Sequence, residues 1–448
     1  MQFAEFKNHV IAKAAALGIE EYELYYQAAE STSVSAFQHS LNEFTSASEG
    51  GVCFRCILGG KMGYASTEEL SEASATAIVE RAADNASVLE AEEKVFLGEG
   101  GKTYLPLERE LYDLPTTEEL IEKVLQTQEK LYAAHSGVID GTETQGIRER
   151  GTIAIYNSKG LDLQYENAIT GLVGAAVVTD GKEMANDYQI KLGKLDEIDT
   201  DALTRKAAEG AYAKLGGEVA PTGVYPVVFD PHAMSSLLST FSGIFSSEAA
   251  QKGLSRLADK EGSIVVSEVL TLVDDPFHKE SPSPINFDAE GSPTYCKNII
   301  EKGQLKTLLY NLKTAAVAGK ETTGNASKAG YDAPVAVRPF TMYIAPGEKS
   351  EEEMLAPIEK GVYIQSLGGL HAGANPITGD FSLQSAGFMI EGGKKTIPVK
   401  SFTVAGNFYD LLKKITAVAS NCTLPSAMGM TAFGSPSVLV EDLSIAGK

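Results

Sequence analysis

The 448-residue sequence lacks any apolar run close to the roughly 18 residues that a membrane-spanning helix needs. Residues 1–5, Met-Gln-Phe-Ala-Glu, also lack the character of a secretory signal peptide. We therefore expect a cytoplasmic protein with no membrane partner. Because 43% of the residues are apolar and 22% are charged, the composition is that of an ordinary globular protein, long enough for two or three domains.

Basic residues are scarce relative to acidic ones. The chain has 38 lysines and arginines against 60 aspartates and glutamates, which gives a net charge of -22. Nucleic-acid binding depends on lysine and arginine side chains that neutralise phosphates. The densest basic clusters are only pairs, Lys394 with Lys395 and Lys413 with Lys414. The charge pattern therefore predicts no nucleic-acid partner.

Cysteines are also few, four in the whole chain. Cys53 and Cys56 form a Cys-x-x-Cys, but no second pair and no nearby histidine accompanies them, as a zinc site would require. The surrounding Gly-Val-Cys-Phe-Arg-Cys-Ile-Leu is typical of a strand, in which residues three apart point to opposite faces. Two buried thiols are the favoured interpretation. Since Cys296 and Cys422 each stand alone, we expect no disulfides and a reducing compartment.

In the first half of the chain, helical spacing of apolar residues alternates with strand-like runs. Helices are predicted over residues 3–17, 68–86, 116–134 and 201–214. Strands are predicted over residues 22–26, 34–37, 51–58, 63–66, 152–156, 161–168 and 170–179. The expected N-caps are Ser66 or Thr67 for the second helix and Thr116 or Thr117 for the third. Turn-forming residues 220–223 end this half at 219, and a further division into residues 1–110 and 111–219 is an open alternative.

The second half, residues 220–448, opens with a strand and a strong helix start. Residues 225–229 are the strand, and Asp230 and Pro231 are typical of the N-cap and N1 positions. An apolar stripe predicts that this helix continues to about Lys260 and packs inside the half. Runs of adjacent strands favour antiparallel over parallel sheets. We therefore predict an α+β fold of two halves, each with a mainly antiparallel sheet flanked by helices.

Residues 368–385, Gly-Gly-Leu-His-Ala-Gly-Ala-Asn-Pro-Ile-Thr-Gly-Asp-Phe-Ser-Leu-Gln-Ser, form a glycine-rich segment between two apolar strands. Glycine lets backbone approach another group closely because it has no Cβ atom. His371 is the one side chain in the segment that titrates near neutral pH. A hairpin turn is predicted shortly afterwards, at residues 391–394, Glu-Gly-Gly-Lys.

Several blocks, taken in order, resemble one known family. They are residues 51–67, 300–306, 368–385, 406–408 and 435–437. Their order and spacing resemble the TldD/PmbA family, long labelled "modulator of DNA gyrase", over nearly the whole chain. TldD-type members carry His-Glu-x-x-x-His on the helix after the central boundary and a distant cysteine, which together bind a catalytic metal.

The metal motif is degenerate in this sequence. Glu248 keeps the glutamate position, but Ser247 and Lys252 fill the two histidine positions, and Cys422 falls where the resemblance puts the cysteine ligand. A serine hydroxyl is a poor zinc ligand, and a lysine ammonium has no lone pair. The simpler alternative for Glu248 and Lys252 is an i, i+4 ion pair. We expect no cofactor in this chain, and zinc in a TldD-type partner.

The resemblance implies a PmbA/TldE-like, non-metal subunit that is inactive alone and helps a TldD-type metalloprotease cleave peptides. It implies a heterodimer or larger assembly, and it leaves a homodimer of the isolated chain as an open alternative. His371, Asn375, Gly379 and Asp380 are candidates to hold a peptide by strand addition beside edge strands. The alternative for their segment is a pair of tight turns. Two other functions remain open: a regulator that binds gyrase or another protein, and an independent hydrolase that pairs Ser247 with Lys252.

Overall fold

The computed structural model describes residues 1–90, 94–108, 111–428 and 431–448. About 24% of the chain is helix and 40% is strand, and most strand pairs are antiparallel. The predicted α+β class is therefore confirmed. None of the helices in these four ranges combines the length and the apolar character that a membrane crossing requires.

The first half is built on one six-stranded antiparallel sheet. Its order is β3-β2-β1-β4-β5-β6, so a single sheet unites residues 21–192. In chain order the elements are α1 (Phe3–Ala16), β1 (Glu21–Phe37), β2 (Ser40–Leu58), β3 (Lys61–Thr67), α2 (Glu72–Val88), α3 (Thr117–Ala133), β4 (Glu143–Asn157), β5 (Asp162–Thr179), β6 (Met184–Leu192) and α4 (Thr200–Tyr212).

All four helices cover one face of this sheet. Leu24, Val52 and Phe54 point to that face and pack with residues of α1 and α2, whereas Val34 and Leu172 meet residues of α3 and α4. Side chains alternate across a strand, so the intervening residues face the second half of the chain. This second face is called the cleft face below.

Cys53 and Cys56 lie on opposite faces of β2, as their spacing predicted. Cys56 packs with the helices, whereas Cys53 lies close to Lys328 of the second half. Both thiols are buried and free, and burial raises the pKa of each, that of Cys56 to about 11. The interpretation as two buried thiols is confirmed.

The second half contains two larger sheets and a small hairpin. Its elements are β7 (Glu218–Val219), β8 (Gly223–Phe229), α5 (Pro231–Phe241), α6 (Ser247–Gln251), β9 (Leu272–Asp274), β10 (Lys297–Glu301), β11 (Gln304–Leu305), α7 (Leu312–Ala318), β12 (Ala326–Ser327), β13 (Ala336–Val337), β14 (Thr341–Ile344), α8 (Glu351–Leu355), β15 (Lys360–Gly368), α9 (Leu370–Gly373), β16 (Asp380–Glu391), β17 (Lys394–Asn407), α10 (Phe408–Lys413), β18 (Ile415–Val418), β19 (Thr423–Met428), β20 (Thr431–Ser435) and β21 (Val438–Ala446).

The sheet orders place α5 in the core. One sheet runs β18-β21-β8-β15-β16-β17-β7, and a further pairing of β21 with β17 closes five of its strands into a ring. The other runs β11-β10-β9-β14-β20-β19, and β12 pairs with β13. Helix α5 contacts β8 and β15 of the first sheet and β19 and β20 of the second. Phe241, its last residue, stacks on Phe408 with ring centroids 4.6 Å apart. The helix start predicted at Asp230 is confirmed, because its carboxylate accepts from the Ala233 N–H.

The helix predicted over residues 230–260 is wrong in its length. Helix α5 ends at Phe241, and a 3-10 turn precedes the five-residue α6. At Ser246 the backbone is extended and forms a bridge with Leu309. Leu309 accepts from the Ser247 N–H and donates to the Phe245 carbonyl. The chain therefore breaks the helix because it pairs with a neighbouring segment there.

Candidate functional site

The degenerate metal motif lies on and just after α6. The Ser247 side chain is buried, and its hydroxyl has no hydrogen-bond partner among the described residues. Lys252, the C-cap of α6, places its Nζ 2.6 Å from Oε1 of Glu248. The structure therefore contains the ion pair that the sequence allowed as the simpler alternative.

Cys422, the third member of the motif, lies just before β19. Its thiol donates to the Ile344 carbonyl oxygen at a sulfur–oxygen distance of 3.7 Å. Burial, with a smaller effect from Glu280, raises the pKa of Cys422 to about 11, so the thiol stays protonated at neutral pH. In the described part of the chain, no three histidine, cysteine, aspartate or glutamate side chains are grouped to hold a metal ion.

The glycine-rich segment is held by its own side chains. Asn375 Oδ1 accepts from the Ile377 and Thr378 N–H groups, and Asp380 Oδ1 accepts from Asn407 Nδ2 at 2.8 Å. This hydrogen bond from Asn407 lowers the pKa of Asp380. Gly379 has φ of 84°, and a Cβ atom there would lie 2.7 Å from the Tyr409 ring. These contacts describe tight turns, and their role in peptide binding stays a prediction.

Among the described residues, the two strands that flank this segment, β15 and β16, are not edge strands. Strand β15 lies between β8 and β16, and β16 lies between β15 and β17. Where β16 extends beyond β15, Ala374 forms an antiparallel bridge with Phe381, and the Asn375 N–H donates to the Asp380 carbonyl. His371 is exposed on the short helix α9. A peptide at this segment would therefore contact side chains rather than add a strand.

A large cleft, which the sequence did not reveal, separates the two halves. Its volume is about 1860 Å³, and its floor is the cleft face of β1, β4, β5 and β6. Its opposite wall consists of the loop after β9, residues 326–329 and residues 338–340. The α6 residues, the glycine-rich segment and Cys422 do not line it. One feature of the sequence is consistent with the cleft, namely the polar run Glu-Ser-Thr-Ser in β1 (residues 30–33). A strand that is buried on both faces is apolar throughout, so this run indicates a strand with an open face.

The loop after β9 is held in a defined conformation at the cleft wall. Asp275 Oδ1 accepts from the Phe277 N–H, and His278 Nδ1 accepts from the Glu280 N–H at 3.2 Å. The His278 ring lies against Tyr343, with centroids 5.0 Å apart. Because Nδ1 is an acceptor, the neutral imidazole carries its proton on Nε2. The wall is therefore preorganised by local hydrogen bonds.

Buried charges join the two halves beside the cleft. Arg55 Nε donates to Glu23 Oε1 at 2.7 Å, and both side chains are almost fully buried. From the second half, Asp288 accepts three backbone N–H groups, and Glu290 accepts one from Leu312. Mainly because both groups are buried, the pKa of Asp288 is raised to about 6 and that of Glu290 to about 7. The two halves are therefore coupled through ionisable groups.

Comparison with known proteins decides the family. Models of the PmbA/TldA metallopeptidase domain 1, central domain and C-terminal domain match residues 22–86, 111–215 and 222–447. The chain belongs to the PmbA/TldA metallopeptidase family. A protein of Methanothermobacter thermautotrophicus named metalloprotease is 28% identical over 90% of this chain and 88% of its own.

Two solved structures are similar to this family member over almost their whole length. A candidate modulator of a DNA gyrase from Thermotoga maritima superposes with a TM-score of 0.90 and 31% identity, covering 99% of this chain and 100% of its own. TldE from Thermococcus kodakarensis has a TM-score of 0.87 and 24% identity, covering 98% and 99%. The second comparison shows the shared fold alone.

The family name implies a metal, and the side chains at α6 do not fit one. Zinc takes thiolate, imidazole or carboxylate ligands, usually from three or four side chains. Here a buried hydroxyl, an ammonium paired with Glu248 and a protonated thiol occupy the motif positions. Glu248 alone is a suitable ligand, and it already has a cationic partner.

Proposed function

We propose that this chain is the non-metal, peptide-binding subunit of a cytoplasmic TldD-type metalloprotease. The observation that carries the proposal is the chemistry at α6, where Ser247 and Lys252 stand in the histidine positions. The Ser247 hydroxyl is buried and is a poor zinc ligand, and the Lys252 ammonium has no lone pair and pairs with Glu248. The family frame persists along the whole chain around this degenerate motif. The partner then supplies the zinc and the hydrolytic step.

The role of this chain in such an assembly is to enclose and orient the substrate. A protease that works in the cytoplasm must keep its active site away from folded proteins, and a second subunit can form part of that enclosure. The cleft has a volume of about 1860 Å³ and a preorganised wall, and it offers room for a segment of an unfolded chain. Positioning of this kind contributes to rate because it removes entropy from the bound substrate before the chemical step.

The geometry gives no support to an independent hydrolase. In a serine–lysine pair, the lysine amine must reach the serine hydroxyl as a base. Ser247 is buried, whereas the Lys252 side chain is 63% exposed and lies on Glu248. The regulator alternative draws on the names of similar structures, such as the candidate gyrase modulator, and it requires binding without peptide cleavage.

The deciding experiment mixes the purified chain with a TldD-type protein from the same genome. We expect no cleavage of an unfolded peptide by this chain alone and strong cleavage by the mixture. The matched control replaces the TldD-type protein by its own His-Glu-x-x-x-His variant with both histidines changed to alanine. Peptide hydrolysis by this chain alone in the presence of a chelator would contradict the proposal. Capture of another protein with no cleavage in the mixture would favour the regulator.

A further inference from the structure

We propose that the cleft binds extended, positively charged peptide segments, and that Glu149 on its floor pairs with a lysine or arginine side chain of the peptide. This inference deepens the proposed function, since it rests on a peptide being the ligand. It assigns the binding to the sheet of the first half, far along the chain from α6 and from the glycine-rich segment.

The size of the cleft favours a polymer over a small metabolite. Pockets for small molecules usually measure roughly 300–1,000 Å³, whereas this cleft measures about 1860 Å³. Its floor is one face of a twisted sheet, on which side chains from four neighbouring strands form a continuous surface. An extended chain can lie across such a surface and contact it through every second side chain.

Glu149 lies in the middle of that floor, and none of the described residues is its counterion. In the sheet it is opposite Ser31 of β1 and Ile169 of β5, and Ile147 is two residues away on the same face. Within the described residues, no hydrogen bond or ion pair reaches its carboxylate. Burial raises the pKa of Glu149, and no cation among the described residues opposes this effect. A half-buried carboxylate of this kind gains from a cationic ligand.

Three of the positive charges that line the cleft have other partners. Arg148, which precedes Glu149, lies on the opposite face of β4, where it donates to the Pro115 carbonyl and to Thr117 Oγ1. Lys194 pairs with Glu197 at 3.5 Å, and Lys328 donates to the Tyr331 carbonyl at 2.7 Å. None of these three cations forms an ion pair with Glu149.

The surroundings of Glu149 favour a long basic side chain over a small cation. Lysine and arginine have apolar stems that pack along hydrophobic surface while the charged end reaches a polar group. Ile147 and Ile169 flank the carboxylate and supply that surface. The net charge of -22 also attracts cationic chains from a distance, and Glu149 then selects where the charge is bound.

The test measures binding of two labelled peptides to the full chain by fluorescence anisotropy. Both consist of serine and alanine around one central residue and have blocked ends. One carries lysine, and the other carries norleucine, which keeps the four-carbon stem of lysine and lacks the charged ammonium group. We expect lysine to bind wild type about tenfold or more tightly than norleucine, as for hydrogen bonds to charged groups. In Glu149→Gln this preference should fall to the small one that the net charge of the whole chain supports.

A matched variant separates local pairing from the general field of the molecule. Glu30→Gln also removes one negative charge, but from the neighbouring strand β1. Glu30 is next to Ser31, the residue opposite Glu149, and its side chain lies on the sheet face away from the cleft. This variant should keep the preference for lysine. Thermal unfolding checks that Glu149→Gln is folded. In the charge-reversed variant Glu149→Lys, a peptide with glutamate at the centre should bind more tightly than the lysine peptide. An equal lysine preference in wild type and Glu149→Gln overturns the inference, as does a lack of saturable lysine-peptide binding to wild type.

The outcome is independent of the test of the proposed function. Cleavage that depends on the TldD-type partner, together with a lysine preference that survives in Glu149→Gln, would refute the site and leave the proposed function intact. A lysine preference that requires Glu149, with no partner-dependent cleavage, would support the site and refute the proposed function.

Discussion

Ser247 and Lys252 illustrate how single residues change the chemistry of a shared frame. The sequence alone indicated that both histidine positions are filled by residues that cannot bind zinc. It did not indicate that Ser247 is buried or that Cys422 donates to Ile344. Burial and thiol partners depend on segments distant in sequence, namely residues around 309 and 344, so no local pattern contains them. The structure adds those contacts to the argument from ligand chemistry.

Zinc content is the direct test at the residue scale. We expect the chain, dialysed after exposure to zinc, to retain far less than one zinc per molecule, because only Glu248 and Cys422 are potential ligands and both have other partners. Elemental analysis by mass spectrometry measures this, with a family member that has His-Glu-x-x-x-His as the positive control. About one tightly held zinc per chain would contradict the expectation.

Loss of the buried Arg55 side chain should lower the stability of the protein strongly. Burial works against its charge, and Glu23 and Glu290 raise its pKa, so it stays cationic inside the protein. We expect Arg55→Met to lower the free energy of unfolding by about 3–5 kcal/mol, because it leaves Glu23 buried without its partner. Chemical denaturation measures the loss.

Two further variants test whether the loss in Arg55→Met comes from the buried ion pair. Lys413→Ala removes one member of an exposed pair with Asp410 at 3.3 Å and should change stability by no more than about 0.5 kcal/mol. Glu23→Gln, added to Arg55→Met, should restore part of the stability. Equal losses in Arg55→Met and Lys413→Ala would show that the buried pair is not special.

At the scale of elements, local signals predicted helix starts better than strand lengths. Thr116 caps α3 in a capping box with Glu119, as expected. By contrast, β1 and β5 are each one long strand where two shorter strands were predicted, and β6 was missed. Their polar residues interrupt the apolar pattern because one side faces the cleft. The same feature that creates the candidate site therefore concealed those strands.

The start of α2 provides a prediction at this scale. Ser66 and Thr67 were the expected caps, but both lie in β3, and Ser71 accepts from the Ser74 N–H instead. We expect Ser71→Ala to lower the free energy of unfolding by about 1 kcal/mol, as for other N-caps. Ser66→Ala should have a smaller effect, since its hydroxyl caps no helix. Urea denaturation of both variants measures this, and a larger loss for Ser66→Ala would contradict the observed cap.

Across the whole molecule, charge is distributed in a way that composition could not indicate. The chain is strongly acidic, yet among the described residues that line the cleft, basic side chains balance acidic ones. The excess negative charge therefore lies elsewhere on the molecule and acts over a longer range. This arrangement separates attraction of a ligand, which is general, from its binding on the cleft floor, which depends on particular residues such as Glu149.

The junction between the halves should make stability depend on pH. Asp288 and Glu290 have pKa values of about 6 and about 7, above their ordinary values, mainly because both are buried. Carboxyl groups with raised pKa values bind protons more readily in the folded state than in the unfolded state. Their contribution to stability is therefore complete below about pH 4 and is lost as the pH rises through about 6 to 7.

A neutral analogue isolates that contribution. Glu290→Gln keeps an oxygen that can accept from the Leu312 N–H and cannot ionise, so we expect the variant to gain stability relative to wild type between about pH 5 and about pH 8. The control is Glu348→Gln, which changes an exposed glutamate and should leave the pH profile unaltered. Urea denaturation across this range measures the difference. Parallel profiles for wild type and Glu290→Gln would show that Glu290 does not bind the proton differently in the folded and unfolded states, because only such a group changes the slope of stability against pH.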